Sequence, residues 1–439
     1  MLMAYFRRIS FLQHLLLALG IRILLVCYSE VHDRNAEVLY TDVDYEVVTD
    51  GARHILQNNS PFQRHTFRYS PLLAIILTPN VFCHKSFGKL LFSIFDIFVG
   101  ILIYKILKEE MLTTINETLK AFYNNLYQVK HFSKQQKVSL PQRYVVLAKN
   151  SALFWLYNPL SISISTRGNG DSFSCFFVLA TIYFLQKHES SVKQTFYAGL
   201  CHGIAIHIRL YPIVFSLSYF LSIANSKTVF QDLLTLRFSK KQWALILGTI
   251  LSLTTLTSIF YYLYGYEYIY EAYLYHFIRK DTRHNFSILF LTQYLNINFD
   301  FSILEKLLIS LPQFVVLAVA TFTLGRDLRS LSFCIFVQTF IVVAYNSVVT
   351  SQYFIWYLAI FPLCLKNLTS MPKRLGFVYF VLWILAQALW LLPAYLLEFK
   401  SINTFNFIGV QGVAFFFVKI YLIQKLIKYF DVITRIKTS

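Results

Sequence analysis

Charge is what this 439-residue chain has least of: Asp, Glu, Lys and Arg together make up 14% of it, against 56% apolar residues and a mean hydropathy of +0.52. A water-soluble domain carries about 25% charged residues, so an ordinary soluble fold is excluded. Acidic residues are scarcer still, 22 against 40 Lys and Arg, for a formal charge of +18. That excess does not point to nucleic acid, because the basic residues fall in short clusters between apolar runs rather than along one face. They read as topology signals and contacts to lipid phosphates. The six cysteines, Cys27, Cys83, Cys175, Cys201, Cys334 and Cys364, lie in or beside apolar segments with no CxxC or His/Cys cluster, so neither a zinc site nor a disulfide framework is indicated. Also absent are a Gly-rich nucleotide loop, GxSxG and HExxH. A lipid-linked substrate fits such a chain better than a nucleotide does.

What is present is a series of apolar runs of roughly 18 to 22 residues, the length that crosses a bilayer core. The expected architecture is an all-α polytopic membrane protein with spans near 9–28, 86–107, 150–165, 172–187, 194–207, 210–225, 242–264, 305–325, 330–349, 353–366, 376–397 and 405–424. Several are short, giving about ten to twelve. The first follows Arg7 and Arg8, lacks a small-residue cleavage pattern and holds Arg22, so it is expected to be a retained anchor. Lys and Arg in short loops stay on the cytoplasmic side. This puts the amino terminus, the basic and partly disordered 108–149 linker and the tail from Lys425 to Lys437 in the cytoplasm, provided that Ser70 to Phe82 is a re-entrant or surface-lying helix broken by Pro71 and Pro79. Alternation then gathers five polar strings on the other face: Tyr40 to Tyr45, Ser165 to Ser172, His207 to Pro212, His276 to Ser287 and Ser351 to Tyr357. Two glycosylation patterns, Asn285-Phe286-Ser287 and Asn367-Leu368-Thr369, fall on opposite faces, only the first of them non-cytoplasmic.

Isolated acids beside a membrane are costly unless a site uses them. Asp42 and Asp44, in Tyr40-Thr41-Asp42-Val43-Asp44-Tyr45, are therefore the first candidates for a catalytic base. Asp44 could equally cap a helix beginning at Tyr45 with Asp42 solvated, and capping would not exclude catalysis. Val47, Val48, Ala52, Ile55 and Leu56 suit an amphipathic helix in the membrane interface, with Asp50, Arg53 and His54 on its wet side. Arg64 and Arg68 supply cations before a turn. Arg167, Gly168, Asn169, Gly170 and Asp171 form a tight polar turn, and such turns are often only loops. Arg209, beside His207, sits at a span boundary where a bare charge needs an anion or carboxylate. Arg279-Lys280-Asp281-Thr282-Arg283-His284-Asn285 has the density of a phosphate clamp or of a solvated loop. Gln352, Tyr353, Trp356 and Tyr357 suit sugar packing, as they would suit an interfacial aromatic belt.

These strings together resemble the catalytic subunit of glycosylphosphatidylinositol mannosyltransferase I, the PIG-M family. The resemblance is carried by Tyr40 to Tyr45 with Thr49-Asp50 and Ala52-Arg53; by Ser60-Pro61-Phe62 with Arg64, and Phe67-Arg68-Tyr69 with Pro71-Leu72; by Asn158-Pro159 and Ser165 to Asn169; by Arg209-Leu210-Tyr211-Pro212; by His276, Arg279, Asp281 and Arg283 to Ser287; and by Ser351 to Phe354 with Trp356-Tyr357. Departures are Gly170, where the family often has Ala, and Ile288-Leu289 in place of Pro-Tyr. The resemblance implies one transmembrane domain of GT-C type over 1–439, a lumenal catalytic loop at 29–85 with interfacial helices, and a cytoplasmic linker at 108–149. It implies transfer, at the lumenal face of the endoplasmic reticulum, of one mannose from dolichyl-phosphate-mannose to the 4-hydroxyl of glucosaminyl-(acyl)phosphatidylinositol, with inversion to an α1,4 bond. Asp44 is the expected base, since Asp44-Tyr45-Glu46 resembles the acidic element of related enzymes, with Asp42 the second candidate. Arg209, Arg279, Arg283 and His284 are expected on the donor phosphate. Arg64, Arg68, Arg167, Asn169, Gln352, Tyr353 and Trp356 are expected on the substrates. No cofactor or metal dependence is implied, because the leaving group is not a nucleotide diphosphate; a small single-span stabilising subunit of PIG-X type is. A sister lipid-sugar transferase, a non-catalytic assembly subunit and a transporter are the alternatives, the last weakened by ionisable residues that gather at one face rather than along a path.

Overall fold

The computed structural model describes residues 9–125, 134–187, 190–224, 237–278, 285, 287–298 and 302–431. All regular structure among them is helical: α1 Phe11–Asn35, α2 Val43–Leu56, α3 Pro71–Ile76, α4 Pro79–Phe82, α5 Phe87–Asn125, α6 Lys134–Leu156, α7 Pro159–Thr166, α8 Asp171–Gln186, α9 Val192–Ile208, α10 Ser216–Ser222, α11 Lys240–Ile269, α12 Tyr275–Ile278, α13 Phe290–Leu295, α14 Ile303–Leu324, α15 Leu328–Tyr345, α16 Phe354–Cys364, α17 Lys373–Lys400 and α18 Phe405–Lys428. In lipid every backbone polar group must be satisfied within its own segment, so long apolar runs become helices. Seven helices among the described residues are long and apolar enough to cross a bilayer, in α1, α5, α11 with its continuation to Leu274, α14, α15, α17 and α18. A count of ten to twelve therefore depends on shorter pieces, such as α6 with α7, broken at Asn158-Pro159 because proline has no N–H to continue the ladder.

Two helices form the axis. Nearly every side chain of α15 and α16 is buried, the signature of a helix surrounded by protein rather than lipid. Around them α11, α14 and α17 turn large apolar groups outward, among them Tyr262, Leu304 and Phe377. Lipid tails are as apolar as leucine, so close packing and polar pairs hold such helices together. α9 and α11 cross where Gly199 meets Gly248, and a Cβ on either would overlap the other helix's backbone. Arg22 of α1 and Asp96 of α5, both fully buried, are joined at 2.7 Å through Nε; Ser165 and Ser172 donate to the same carboxylate at 3.3 Å. One ion pair thus ties four helices at the base of the turn that carries Arg167 to Asp171.

α1 runs seven residues past the expected end at Tyr28, and the described parts of the 108–149 linker are helical, belonging to α5 and α6, while 126–133 lie outside the described residues. No proline or glycine interrupts Ile101 to Asn125, so nothing stops the helix there. Pro71 and Pro79 each begin a short helix, as expected of a broken segment. The amphipathic helix forms as α2, but its apolar face is covered by protein: Tyr45, Val47, Val48 and Ala52 are buried in a second core with Phe62, Phe67, Leu77, Phe92, Phe260 and Tyr268, while Val43 and Leu56 are exposed.

Candidate active site

The segment Tyr40 to Asp44 is pinned from several directions. Asp33, at the end of α1, accepts the Tyr40 N–H at 2.6 Å and the Thr41 hydroxyl. Lys89, buried at the start of α5, reaches the Thr41 hydroxyl at 2.6 Å and Ser29 at 2.8 Å. The Asp42 N–H donates to the Arg167 carbonyl at 2.9 Å, and the Tyr40 hydroxyl meets that of Thr166 at 2.7 Å. Asp42 rather than Asp44 caps the helix: α2 begins at Val43, and the Asp42 carboxylate takes the Asp44 N–H at 3.1 Å. The cap falls there because Asp42 has the extended backbone of an N-cap, leaving Asp44 in the first turn with its carboxylate uncommitted to the backbone. Burial, and then the neighbouring Asp44 charge, hold the Asp42 carboxyl above its usual range, with Arg167 opposing them.

Asp44 opens into a pocket shared with Tyr69, Asn169, Gly170 and Arg209. Gln352 donates to its Oδ2 at 3.4 Å and accepts from Asn169 Nδ2 at 2.9 Å, so α2, the α7–α8 turn and the start of α16 meet at one carboxylate. Asn169 also takes the Asp171 N–H at 3.0 Å. Asp171, fully buried, pairs with Arg209 at 2.8 Å, and the Arg209 guanidinium lies 5.4 Å from the centre of the Tyr69 ring. Burial and then the Asp44 charge keep the Tyr69 phenol well above its ordinary pKa, so it stays a proton donor toward that carboxylate. Gly168 makes the turn possible: its φ is +93°, and a Cβ would run into the Tyr45 ring. Trp356 is stacked between Tyr211 at 4.0 Å and Tyr353 at 4.4 Å.

The structure brings together Asp42, Asp44, Arg167, Asn169, Arg209 and Gln352, with Tyr353 and Trp356 packed behind them. It does not bring Arg64 and Arg68 into the Asp44 pocket. Arg64 pairs with Asp50 at 3.1 Å; Arg68 pairs with Glu271 and lies over the Tyr275 ring at 4.1 Å, fastening the loop before α3 to the segment after α11. Arg279, Arg283 and His284 lie outside the described residues. Among the described residues no group of three His, Cys, Asp or Glu is placed to hold a metal ion. Sequence reasoning named Tyr69 and Asp171 within motifs without giving either a role in the site, and missed Asp33 and Lys89. The last two carried a usable signal, charges at the ends of apolar runs.

A family model described as Mannosyltransferase (PIG-M) matches residues 164–427. The chain is 36% identical over 410 residues to "GPI alpha-1,4-mannosyltransferase I, catalytic subunit" of Danio rerio, an alignment covering 93% of this chain and 94% of that one. It is 35% identical to "GPI mannosyltransferase 1" of Dictyostelium discoideum over 94% of this chain and 90% of the relative. To the Saccharomyces cerevisiae protein of the same name it is 32% identical, over 93% and 92%.

Proposed function

The chain belongs to the PIG-M family of mannosyltransferases, and on that premise we propose that it adds the first, α1,4-linked mannose to glucosaminyl-(acyl)phosphatidylinositol in glycosylphosphatidylinositol synthesis, with dolichyl-phosphate-mannose as donor. The observation that carries the mechanism is one carboxylate, Asp44, uncommitted to its own backbone and sharing a pocket with the half-buried cation Arg209. Asp44 takes the proton of the acceptor 4-hydroxyl as that oxygen attacks the anomeric carbon. The departing dolichyl phosphate leaves from the opposite face, its charge met by Arg209 and by the basic string Arg279, Arg283 and His284. One in-line displacement turns a β-linked donor into an α-linked product. Gln352 and Asn169 fix the direction of the carboxylate, and Asp42 positions it by capping α2.

The protein is a multi-pass membrane protein with the helical arrangement of a GT-C transferase, its site on the lumenal face of the endoplasmic reticulum and its basic loops in the cytoplasm. A small single-span subunit of PIG-X type is the expected stabilising partner, and Arg167, Tyr353 and Trp356 contact or frame the substrates, while Arg64 and Arg68 brace the loop around α2 through Asp50 and Glu271. Membranes containing the protein, given labelled dolichyl-phosphate-mannose and glucosaminyl-phosphatidylinositol, should yield a singly mannosylated lipid that α-mannosidase trims back to the acceptor. A product from another sugar donor only, or none in membranes that carry the folded protein, would overturn the reading.

A further inference from the structure

The turn between α7 and α8 faces two cavities. Gly168, Asn169 and Gly170 line the pocket of Asp44 and Arg209. Arg167 and Ser163 line a separate cleft of about 430 Å³ against His32, Val38, Leu39 and Tyr40. The segment Tyr40 to Asp44 runs between them, Tyr40 on the cleft and Asp44 on the pocket. The cleft has the composition of a headgroup site: Arg167 is an exposed cation, Ser163 an exposed hydroxyl, and the rings of His32 and Tyr40 stand edge to face at 6.2 Å. Below it, Leu24, Tyr28 and Val31 on α1 are exposed apolar side chains that lead toward lipid.

In-line displacement puts the nucleophile and the leaving phosphate on opposite sides of the reacting carbon, so the two lipid headgroups approach Asp44 from different directions. The donor phosphate is bonded to that carbon, so its cation must lie in the pocket of the base, where Arg209 is. The acceptor phosphate is separated from the reacting hydroxyl by glucosamine and inositol, so its cation must stand off from the base. We propose that the cleft of His32, Tyr40, Ser163 and Arg167 is the subsite for the inositol-phosphate end of the acceptor lipid, Arg167 on the phosphodiester and the two rings against the cyclitol, the sugar end reaching past Asp42 to Asp44. This rests on the mannosyl-transfer reading.

In membranes holding the full chain, Arg167→Ala should raise the apparent KM for glucosaminyl-phosphatidylinositol about tenfold or more, the worth of one charge-assisted hydrogen bond, and leave that for dolichyl-phosphate-mannose within about twofold; Arg167→Lys should recover part of the loss. A rise confined to the donor, or equal for both, overturns the assignment. A second measurement needs no turnover. With exposed Cys27 and Cys83 changed to Ser, Ser163→Cys should react with a maleimide, and soluble glucosaminyl-inositol phosphate, but not mannose 1-phosphate, should slow that reaction. Mannosyl transfer by the parent protein without such protection removes the subsite alone. Protection without mannosyl transfer keeps the cleft as a headgroup site and removes the reaction.

Discussion

Asp44→Asn separates a catalytic base from a hydrogen-bonding residue, because the amide keeps the shape of the side chain and an oxygen for Gln352 while it loses the negative charge and with it the basicity. If Asp44 mainly anchored Gln352, the change would cost at most about one hydrogen bond, roughly 0.5–1.5 kcal/mol or a few-fold to tenfold in rate. If it is the base, the loss should be about 10² to 10⁴ in kcat, or roughly 3–5.5 kcal/mol, with both KM values nearly unchanged. Asp42→Asn is the companion variant. Asn caps a helix about as well as Asp, so this variant should keep α2 and stay within about tenfold of the parent. Initial rates at saturating donor and acceptor, read beside melting temperature in detergent, distinguish the outcomes. Asp44→Asn within about tenfold of the parent refutes the base assignment, and Asp42→Asn as inactive as a crippled Asp44→Asn would move it to Asp42. The raised Asp42 carboxyl also sets a sign: its contribution to stability is fully present below the ordinary carboxylate range and is lost as pH rises through the raised value. Removing the Asp44 charge should make the melting temperature less sensitive to that rise.

Arg209→Lys should raise the donor KM more than the acceptor KM while keeping a charge for buried Asp171; Arg209→Ala should in addition lower the melting temperature, and equal effects of the Lys variant on both substrates would count against a donor-phosphate role. Arg22→Leu should destabilise the protein by about 3–5 kcal/mol by leaving the Asp96 charge buried, and Asp96→Leu in the same chain should restore much of it; a double variant no better than the single one would mean that the pair contributes more than its own neutralisation. Neither sequence pattern at Asn285 nor that at Asn367 should carry glycan, since both amides are buried and donate, Asn285 to Gln293 and Ser347 and Asn367 to the Asp431 carbonyl. Exposed Ser370, changed to Cys, should be labelled from the cytoplasmic side of sealed microsomes; labelling only from the lumen would invert the later half of the topology.

Low charge and repeated apolar runs were enough, in the sequence alone, to set the class of fold, because an unpaired backbone in lipid leaves little but helices. The same scarcity made Asp42, Asp44, Arg167 and Arg209 conspicuous, since a charge beside an apolar run needs a reason. The polar strings that carry the family resemblance were likewise legible as motifs. Which of them meet was not. Asp171 gives no local sign that it pairs with Arg209, nor Asn169 that it steers Asp44 through Gln352, because these bonds join residues distant along the chain and depend on how helices cross. Arg64 and Arg68 show the converse: nothing in their neighbourhood announces that Asp50 and Glu271 claim them. The N-cap moved from Asp44 to Asp42 because backbone direction is set by the Arg167 carbonyl, an anchor from another helix. Periodicity marked the apolar face of α2, but only tertiary packing decided that protein rather than lipid covers it.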